Sequence, residues 1–476
     1  MLLNRSLILS RLGCHRMSNN YYGLAWVAST ALFMQTLDAT ILNTALPSIA
    51  ADLQESPLEM QLAVISYALT VALLIPLSGW LADRFGTLVV FRAAIALFTL
   101  GSICCSFAGD LNSLVAFRVL QGAGGALMMP VARLSIIKSV PRHEVLSVWN
   151  MMVMAGLIGP IMGPVLGGWL VTYASWHWIF LMNIPIGIVG FWLCGRYMPN
   201  LTGKRFRLDW LGFLLFGGAL ASVTLGLDMI GSRTFSLWSA IVVLLLGMLL
   251  FVGYYHYARH VSQPLLGFSL FQYRTFNIGT QVNLVLRLCG SGAPFLLPLM
   301  LQVAYGYPAD VAGWMLMPIA LSSILCKPMI RSWLNRFGYK KALIAATILL
   351  CASLVCFGLM QPSWSLCWLL PPLVLYGCAM SLLFTATNTL TISEFSEENN
   401  SEGSTLLSVT QQVGLGLGIA FAAVVLNIYR TLLAPDAVAQ AFSYTFFTVA
   451  AIGILQIIVL LKLQAHDGEN MSRREG

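Results

Sequence analysis

Residues 31–47 read ALFMQTLDATILNTALP. The run is apolar from Gly23 onward, and a single acid, Asp38, interrupts it. A charge at the centre of a bilayer costs several kcal/mol, about 2.5–3.5 on insertion scales. On the surface of a soluble helix the same residue would cost little. The reading of this stretch therefore depends on whether it spans a membrane, and composition decides that. Of 476 residues, 58% are hydrophobic and only 9% are charged. An ordinary soluble domain carries about 25% charged residues. So few charges cannot cover the surface of a water-soluble protein of this length.

Apolar segments of about 20 residues recur from end to end, long enough to cross hydrocarbon as helices. Fourteen spans are expected, at 23–45, 61–81, 89–108, 113–137, 147–170, 175–197, 209–229, 236–257, 275–302, 311–330, 341–360, 366–390, 405–428 and 440–463. Most of the ten cysteines fall in these spans or at their ends, where they behave as small hydrophobes; none has zinc-ligand spacing. His256 and His260 share a helical spacing beside Arg259, and read as a solvated helix end rather than a metal site. No metal site is expected. Residues 1–20 are too interrupted by Arg5, Arg11 and Arg16 for a signal peptide, and Met17 is an alternative start.

The formal charge of +8 could suggest nucleic acid, but its distribution points to lipid. With fourteen spans, 21 of the 26 Lys and Arg fall on the side of the N-terminal tail. Two, Arg233 and Arg430, fall on the other side, and Arg118, Arg133 and Arg287 lie within spans. This bias places both termini in the cytoplasm of a bacterial inner membrane. The acidic loop 393–403 does not count against it, because acids contribute little to topology. The loops are too short for a soluble catalytic domain, and no phosphate-cradling loop is present, so an enzyme is not expected. The partners expected are the bilayer and a small molecule, with no nucleic acid, and the chain is expected to be a monomer.

The loop after span 2 reads WLADRFG (80–86), and the loop after span 10 reads SWLNRFG (332–338), an offset of 252 residues. Spans 1–6 and 9–14 then form two parallel halves, with spans 7 and 8 inserted. That organisation gives a tail at 1–20, a six-helix bundle at 21–200, an inserted pair at 201–260, a second bundle at 261–463 and a tail at 464–476. Parallel repeats of this kind place a transport site between the halves, near the midplane.

Four stretches now carry a family resemblance: LDATILNTALP (37–47), GWLADRFG (79–86), RVLQGAGGA (118–126) and GLIGPIMGPVLGG (156–168). Together they resemble the fourteen-helix drug:proton antiporter branch of the major facilitator superfamily. The resemblance implies an all-α polytopic fold of two six-helix bundles plus an inserted pair. It implies that 118–126 takes part in proton coupling, and that Gly79, Asp83, Arg84 and Gly86 form a conformational latch, with Asn335, Arg336 and Gly338 as their counterparts. It further implies that Gly156, Gly159, Pro160, Gly163, Pro164, Gly167 and Gly168 form a seal and hinge between the halves. The second stretch departs from the family pattern, because Thr87 and Leu88 follow Gly86 where bases are usual.

On physical grounds Arg118 is the obvious partner for Asp38, and Gln121 shares its helix face. Arg133 sits close enough to a helix end to snorkel. Arg287 lies mid-span, one turn from Asn283, and a mid-span Arg faces a bundle interior or an aqueous cavity. The cavity candidates are Gln35, Gln121, Asn283, Arg287, Asn388 and Gln411, with Gln412 beside them. Met34, Met128, Met129 and Met154 suit either an adaptable wall or plain packing. The function expected is export by proton antiport, with the proton gradient as energy source and no cofactor. Two substrate classes fit, amphipathic drugs and an anionic metabolite such as an organic acid or its metal chelate. A non-transporting sensor or assembly partner is the remaining alternative.

Overall fold

The computed structural model describes residues 3–57, 59–203, 208–231, 236–261, 264–395, 400–434, 436–464 and 467. Only the backbone course is described for 3–20, for part of 142–157, and for 228, 231 and 400–402. The bases at 204–207, Arg233, Arg473, Arg474, Glu397 and Glu398 therefore lie outside the described residues. Among the described residues the chain is helical throughout, in the order α1 (Leu3–Asp52), α2 (Gln61–Phe85), α3 (Thr87–Ser106), α4 (Leu111–Ser139), α5 (Arg142–Tyr173), α6 (His177–Leu181), α7 (Asn183–Tyr197), α8 (Trp210–Gly231) and α9 (Leu237–Ala258). There follow α10 (Arg274–Gly290), α11 (Ala293–Leu299), α12 (Ala309–Leu325), α13 (Lys327–Leu359), α14 (Leu370–Thr391), α15 (Asn400–Leu432) and α16 (Val438–Leu461).

Among the described residues, twelve helical segments are long and apolar enough to cross a membrane. The other two expected spans correspond to α1, which Gln35, Asp38 and Asn43 make more polar, and to the shorter α12. Side chains such as Trp192, Trp238, Leu245, Leu249 and Val252 face outward and exposed, which suits hydrocarbon and not water. This is a multi-pass membrane protein.

Span boundaries shift where the backbone breaks. Span 6 is split at Met182 into α6 and α7. Span 9 breaks at Ser291–Gly292, between α10 and α11, and ends in a π-turn at Met300–Ala304. Spans 10 and 11 divide at Gly338, within the expected gap at 330–341, and span 10 carries an added break of its own. A break at Cys326 ends α12, and the chain re-enters helix before Gly338 turns it again.

Packing repeats between the first six spans and the last six. In the first set α1 packs on α5 and α7, while α4 packs on α2 and α3 and α3 on α7. In the second, α10 packs on α15 and α16, while α14 packs on α12 and α13 and α13 on α16. The sets meet through α2 with α15 and α5 with α12, which are equivalent pairs under the same repeat. The inserted α8 and α9 pack chiefly on each other, and α8 also reaches α2 and α15.

The two Arg-Phe-Gly turns share a backbone device. Gly86 has φ +96° and Gly338 has φ +74°, values that side chains beyond glycine rarely adopt. Small residues also set the helix spacing. A Cβ on Gly124 would collide with the α3 backbone at Phe98 and Ala94, and one on Gly101 would lie 2.6 Å from the backbone of Gln121. These glycines draw α3 against α4. Because the obstacle at Gly124 is backbone, Gly124→Leu is expected to cost about 1–3 kcal/mol by overpacking. Its melting temperature in detergent should fall well below that of Gly79→Ala, since a Cβ at Gly79 meets nothing within 4 Å.

Candidate functional site

Asp38 lies inside the first bundle and is 1% exposed. Four helices besides its own supply its surroundings. From α4, Arg118 Nη1 donates to Asp38 Oδ2 at 2.7 Å and to Gln121 Oε1 at 2.6 Å. Gln121 Nε2 donates to Asp38 Oδ1 at 2.7 Å and to Ser102 Oγ of α3, also at 2.7 Å. From α7, Asn183 Nδ2 lies 3.2 Å from Asp38 Oδ1 and 3.2 Å from Ser102 Oγ. From α2, the Ala63 carbonyl accepts from Arg118 Nε at 3.1 Å, and the Tyr67 ring lies under the guanidinium at 4.4 Å.

Both charges are thus paired with each other and hydrogen-bonded elsewhere, which a buried ion pair requires to offset desolvation. Arg118 and Gln121 share a face of α4 because they are three residues apart. Gln121, expected in a substrate cavity, is instead fully buried with its amide committed to Asp38, Arg118 and Ser102. Gln35, one turn from Asp38, stays outside the network, and its Oε1 is buried without a partner. Sequence reasoning missed Ser102 and Asn183. The amide of Asn183 within the apolar LMNIPIGI (181–188) was the available signal.

The other expected residues sort into three groups. Asp83 pairs with Lys138 at 3.0 Å, and Arg84 stacks over Trp80 at 5.2 Å. Thr87, where the family pattern has a base, ties the α2–α3 turn to 199–201: its Oγ1 donates to Pro199 O at 2.7 Å and accepts from Leu201 N at 3.0 Å. In the corresponding turn Arg336 lies over Phe337 at 5.5 Å, and a Cβ on Gly338 would meet open space.

The small face of α5 is the second group. Gly156, Gly159, Gly163 and Gly167 pack against Leu32, Thr36, Leu37, Thr40, Ile41 and Thr44 of α1, within the same bundle. Only Gly168, against Ala309, and Pro164, against Gly313, reach α12 of the other set. A face expected between the halves is therefore mostly an α1–α5 contact. A helix that must accept threonine side chains every turn needs a glycine opposite each. Beside the α5–α12 contact, Tyr173 donates to Asp310 Oδ2 at 3.1 Å and Gln302 Nε2 to the Thr44 carbonyl at 3.0 Å.

In the second set, α10, α14 and α15 bring Asn283, Asn388 and Gln411 together. Asn388 Oδ1 accepts from Gln411 Nε2 at 2.8 Å and from Asn283 Nδ2 at 3.4 Å. One turn further along all three helices lie Arg287, Phe384 and Gly414. Arg133, expected to snorkel, is partly buried and donates to Ser404 Oγ of α15 at 3.4 Å. Among the described residues no group of His, Cys, Asp and Glu is arranged to hold a metal, and His260 Nδ1 instead meets the His256 carbonyl at 2.7 Å.

A membrane-embedded bundle with a repeated six-span packing pattern and a paired charge inside one set defines a secondary-transporter class of fold. The sequence profile of the Major Facilitator Superfamily matches residues 28–292 and 282–476, and the chain belongs to that family. It is 50% identical to the transport protein HsrA of Haemophilus influenzae, over 96% of this chain and 99% of that one. It is 40% identical to a multidrug resistance protein, MdtD, so named in Serratia proteamaculans, over 94% of each chain. Solved structures share the fold at low identity. A nucleoside transporter, NupG, superposes with a TM-score of 0.67 at 13% identity over 92% of this chain and 99% of its own. A D-xylose–proton symporter gives 0.66 at 14%, over 94% and 99%. The chain is a transporter of this superfamily, and the relatives that share its length are transporters rather than enzymes.

Removing one member of a buried ion pair leaves the other uncompensated, at a cost of about 3–5 kcal/mol. Arg118→Leu should therefore lower the melting temperature sharply. The double variant Asp38→Asn/Arg118→Leu should recover part of the loss. A thermal-shift series on the two singles and the double measures that coupling.

Proposed function

We propose that the chain exports small molecules from the bacterial cytoplasm in exchange for protons, with Asp38 as the group that takes up and releases the proton. The observation that carries this reading is the setting of Asp38. It is a lone carboxylate in the apolar interior, held by an arginine and a neutral amide of α4 and by a neutral amide of α7, all in one bundle. Its polar contacts among the described residues all come from that bundle, so a rearrangement of these helices can change them without dismantling the contacts between the sets.

Protonation of Asp38 removes the ion pair and leaves Arg118 with the Ala63 carbonyl and Gln121 Oε1 as acceptors. In alternating access, the proton is taken up while the site communicates with the outside and released while it communicates with the cytoplasm, and cargo travels the other way. The contacts that must open and close are those between α2 and α15 and between α5 and α12. The Asp83–Lys138 pair and the Gly86 turn are the proposed latch at the arginine-rich end, with Asn335, Arg336 and Gly338 in the equivalent place. The charge bias supports an inner-membrane location with both termini cytoplasmic. The name of the MdtD relative supports multidrug efflux. A monomer with no cofactor other than the proton gradient completes the reading.

The test uses inverted membrane vesicles energised by an imposed pH gradient. Asp38→Asn is expected to reduce proton-driven ethidium uptake to the background of vesicles lacking the protein, with inserted protein unchanged by immunoblot. Undiminished uphill uptake by this variant would remove Asp38 from the coupling step.

A further inference from the structure

Two arginines lie deep in this molecule, and they are treated very differently. Arg118 has a carboxylate, a carbonyl, an amide oxygen and an aromatic ring around it. Arg287 has the Phe384 ring, 4.9 Å from its guanidinium carbon, and no hydrogen bond or carboxylate among the described residues. Its Nε is fully enclosed and unpartnered. Its two Nη atoms, by contrast, are not sealed off, and the side chain as a whole is only partly buried. The donors that a guanidinium uses for bidentate recognition thus have no hydrogen-bond partner among the described residues while its stem is gripped.

The grip is specific. A Cβ on Gly414 would lie 2.8 Å from Arg287 Cβ, and one on Gly418 would collide with the Arg287 carbonyl, so α15 presents a glycine surface to this turn of α10. One turn away, Asn283 is fully buried, and its Oδ1 accepts no hydrogen bond. A donor-rich cation and an orphan acceptor therefore sit on one face of α10, four residues apart. Burying a charge without a partner is expensive, and proteins retain such a group where a ligand supplies the partner.

We infer that Arg287 binds a carboxylate of a transported molecule, and that the cargo range of the exporter includes organic anions. The planar carboxylate matches the guanidinium fork. The Phe384 ring offers an apolar surface beside it. The site lies in the second set of helices, apart from Asp38. It identifies the cargo class only on the reading of the chain as an exporter, but anion binding itself needs neither a gradient nor Asp38.

The experiment follows thermal unfolding of the purified full chain in detergent with sodium benzoate, sodium succinate, sodium chloride at matched ionic strength, and ethidium. Benzoate or succinate is expected to stabilise the wild type beyond chloride. Arg287→Gln should raise the half-saturating concentration at least ~10-fold, a loss of about 1.4 kcal/mol, and Arg287→Lys should fall between. Because Arg287→Gln could fail through misfolding, Asn283→Asp provides a second arm. It places a carboxylate one turn from Arg287, and should match or exceed the wild type in melting temperature while abolishing the response. Asp38→Asn starts from a lower melting temperature because it leaves Arg118 uncompensated, but should keep the carboxylate-induced rise above that baseline, which separates this site from the coupling reading. No carboxylate response in the wild type overturns the inference. So does an equal response in Arg287→Gln and Asn283→Asp, or stabilisation by ethidium alone that Arg287→Gln removes.

Discussion

A carboxylate held away from water in a lipid-embedded bundle is the constraint around which the first six spans are arranged. Asp38 needs donors, and it receives them from Arg118, Gln121 and Asn183. Arg118 in turn needs acceptors beyond Asp38, and finds them at Ala63 and Gln121. These demands fix the relative placement of α1, α2, α3, α4 and α7. The glycines follow from the same demand. Ser102 can reach Gln121 only because Gly101 and Gly124 let the α3 and α4 backbones approach within contact. A single acid thus accounts for a polar network, and the network for a helix spacing that apolar packing alone would not require.

Much of this was legible in the chain, for a physical reason. Charges within apolar spans are rare enough that Asp38 and Arg118 single each other out, and the structure places them 2.7 Å apart. The repeated Arg-Phe-Gly was legible because a backbone conformation at positive φ demands glycine in both turns. What stayed hidden was mostly interhelical. Ser102 and Asn183 lie 19 and 81 residues from the groups they bond in α4 and α3, and no local period announces such a pairing. The glycine face of α5 was visible, but its partner was not. A small face signals close packing without saying against which helix, and most of it meets α1. The turn between spans 10 and 11 falls at Gly338, in the expected gap, but the added break inside span 10 at Cys326 stayed hidden because hydropathy gives no warning there.

The two sets of helices share a packing plan but not a polar loading. Span 1 carries Asp38 and span 9 carries Arg287, so equivalent spans of the repeat carry opposite charge. In the first set the charge is saturated by its own bundle. In the second, the amide cluster of Asn283, Asn388 and Gln411 bonds to itself and leaves the arginine aside. The repeat therefore supplies a symmetric frame for movement, while the side chains on it break that symmetry.

This division constrains how a proton could be linked to cargo. A ligand shifts a conformational equilibrium only by its differential affinity for the two states. Asp38 makes its hydrogen bonds within the first set, so any effect of its protonation must first alter how α1, α2 and α4 sit. From there it can pass on where the sets meet, chiefly through α2 with α15 and α5 with α12, and also through α1 with α11 and α12. The first of these contacts leads directly to the turn of α15 whose glycines grip Arg287, since Gly416 faces Ala68 of α2 while Gly414 and Gly418 face Arg287 on α10. A displacement of α2 is thus delivered to the arginine by one intervening helix, and the glycines that give that helix its smooth faces leave it no side chain with which to absorb the movement.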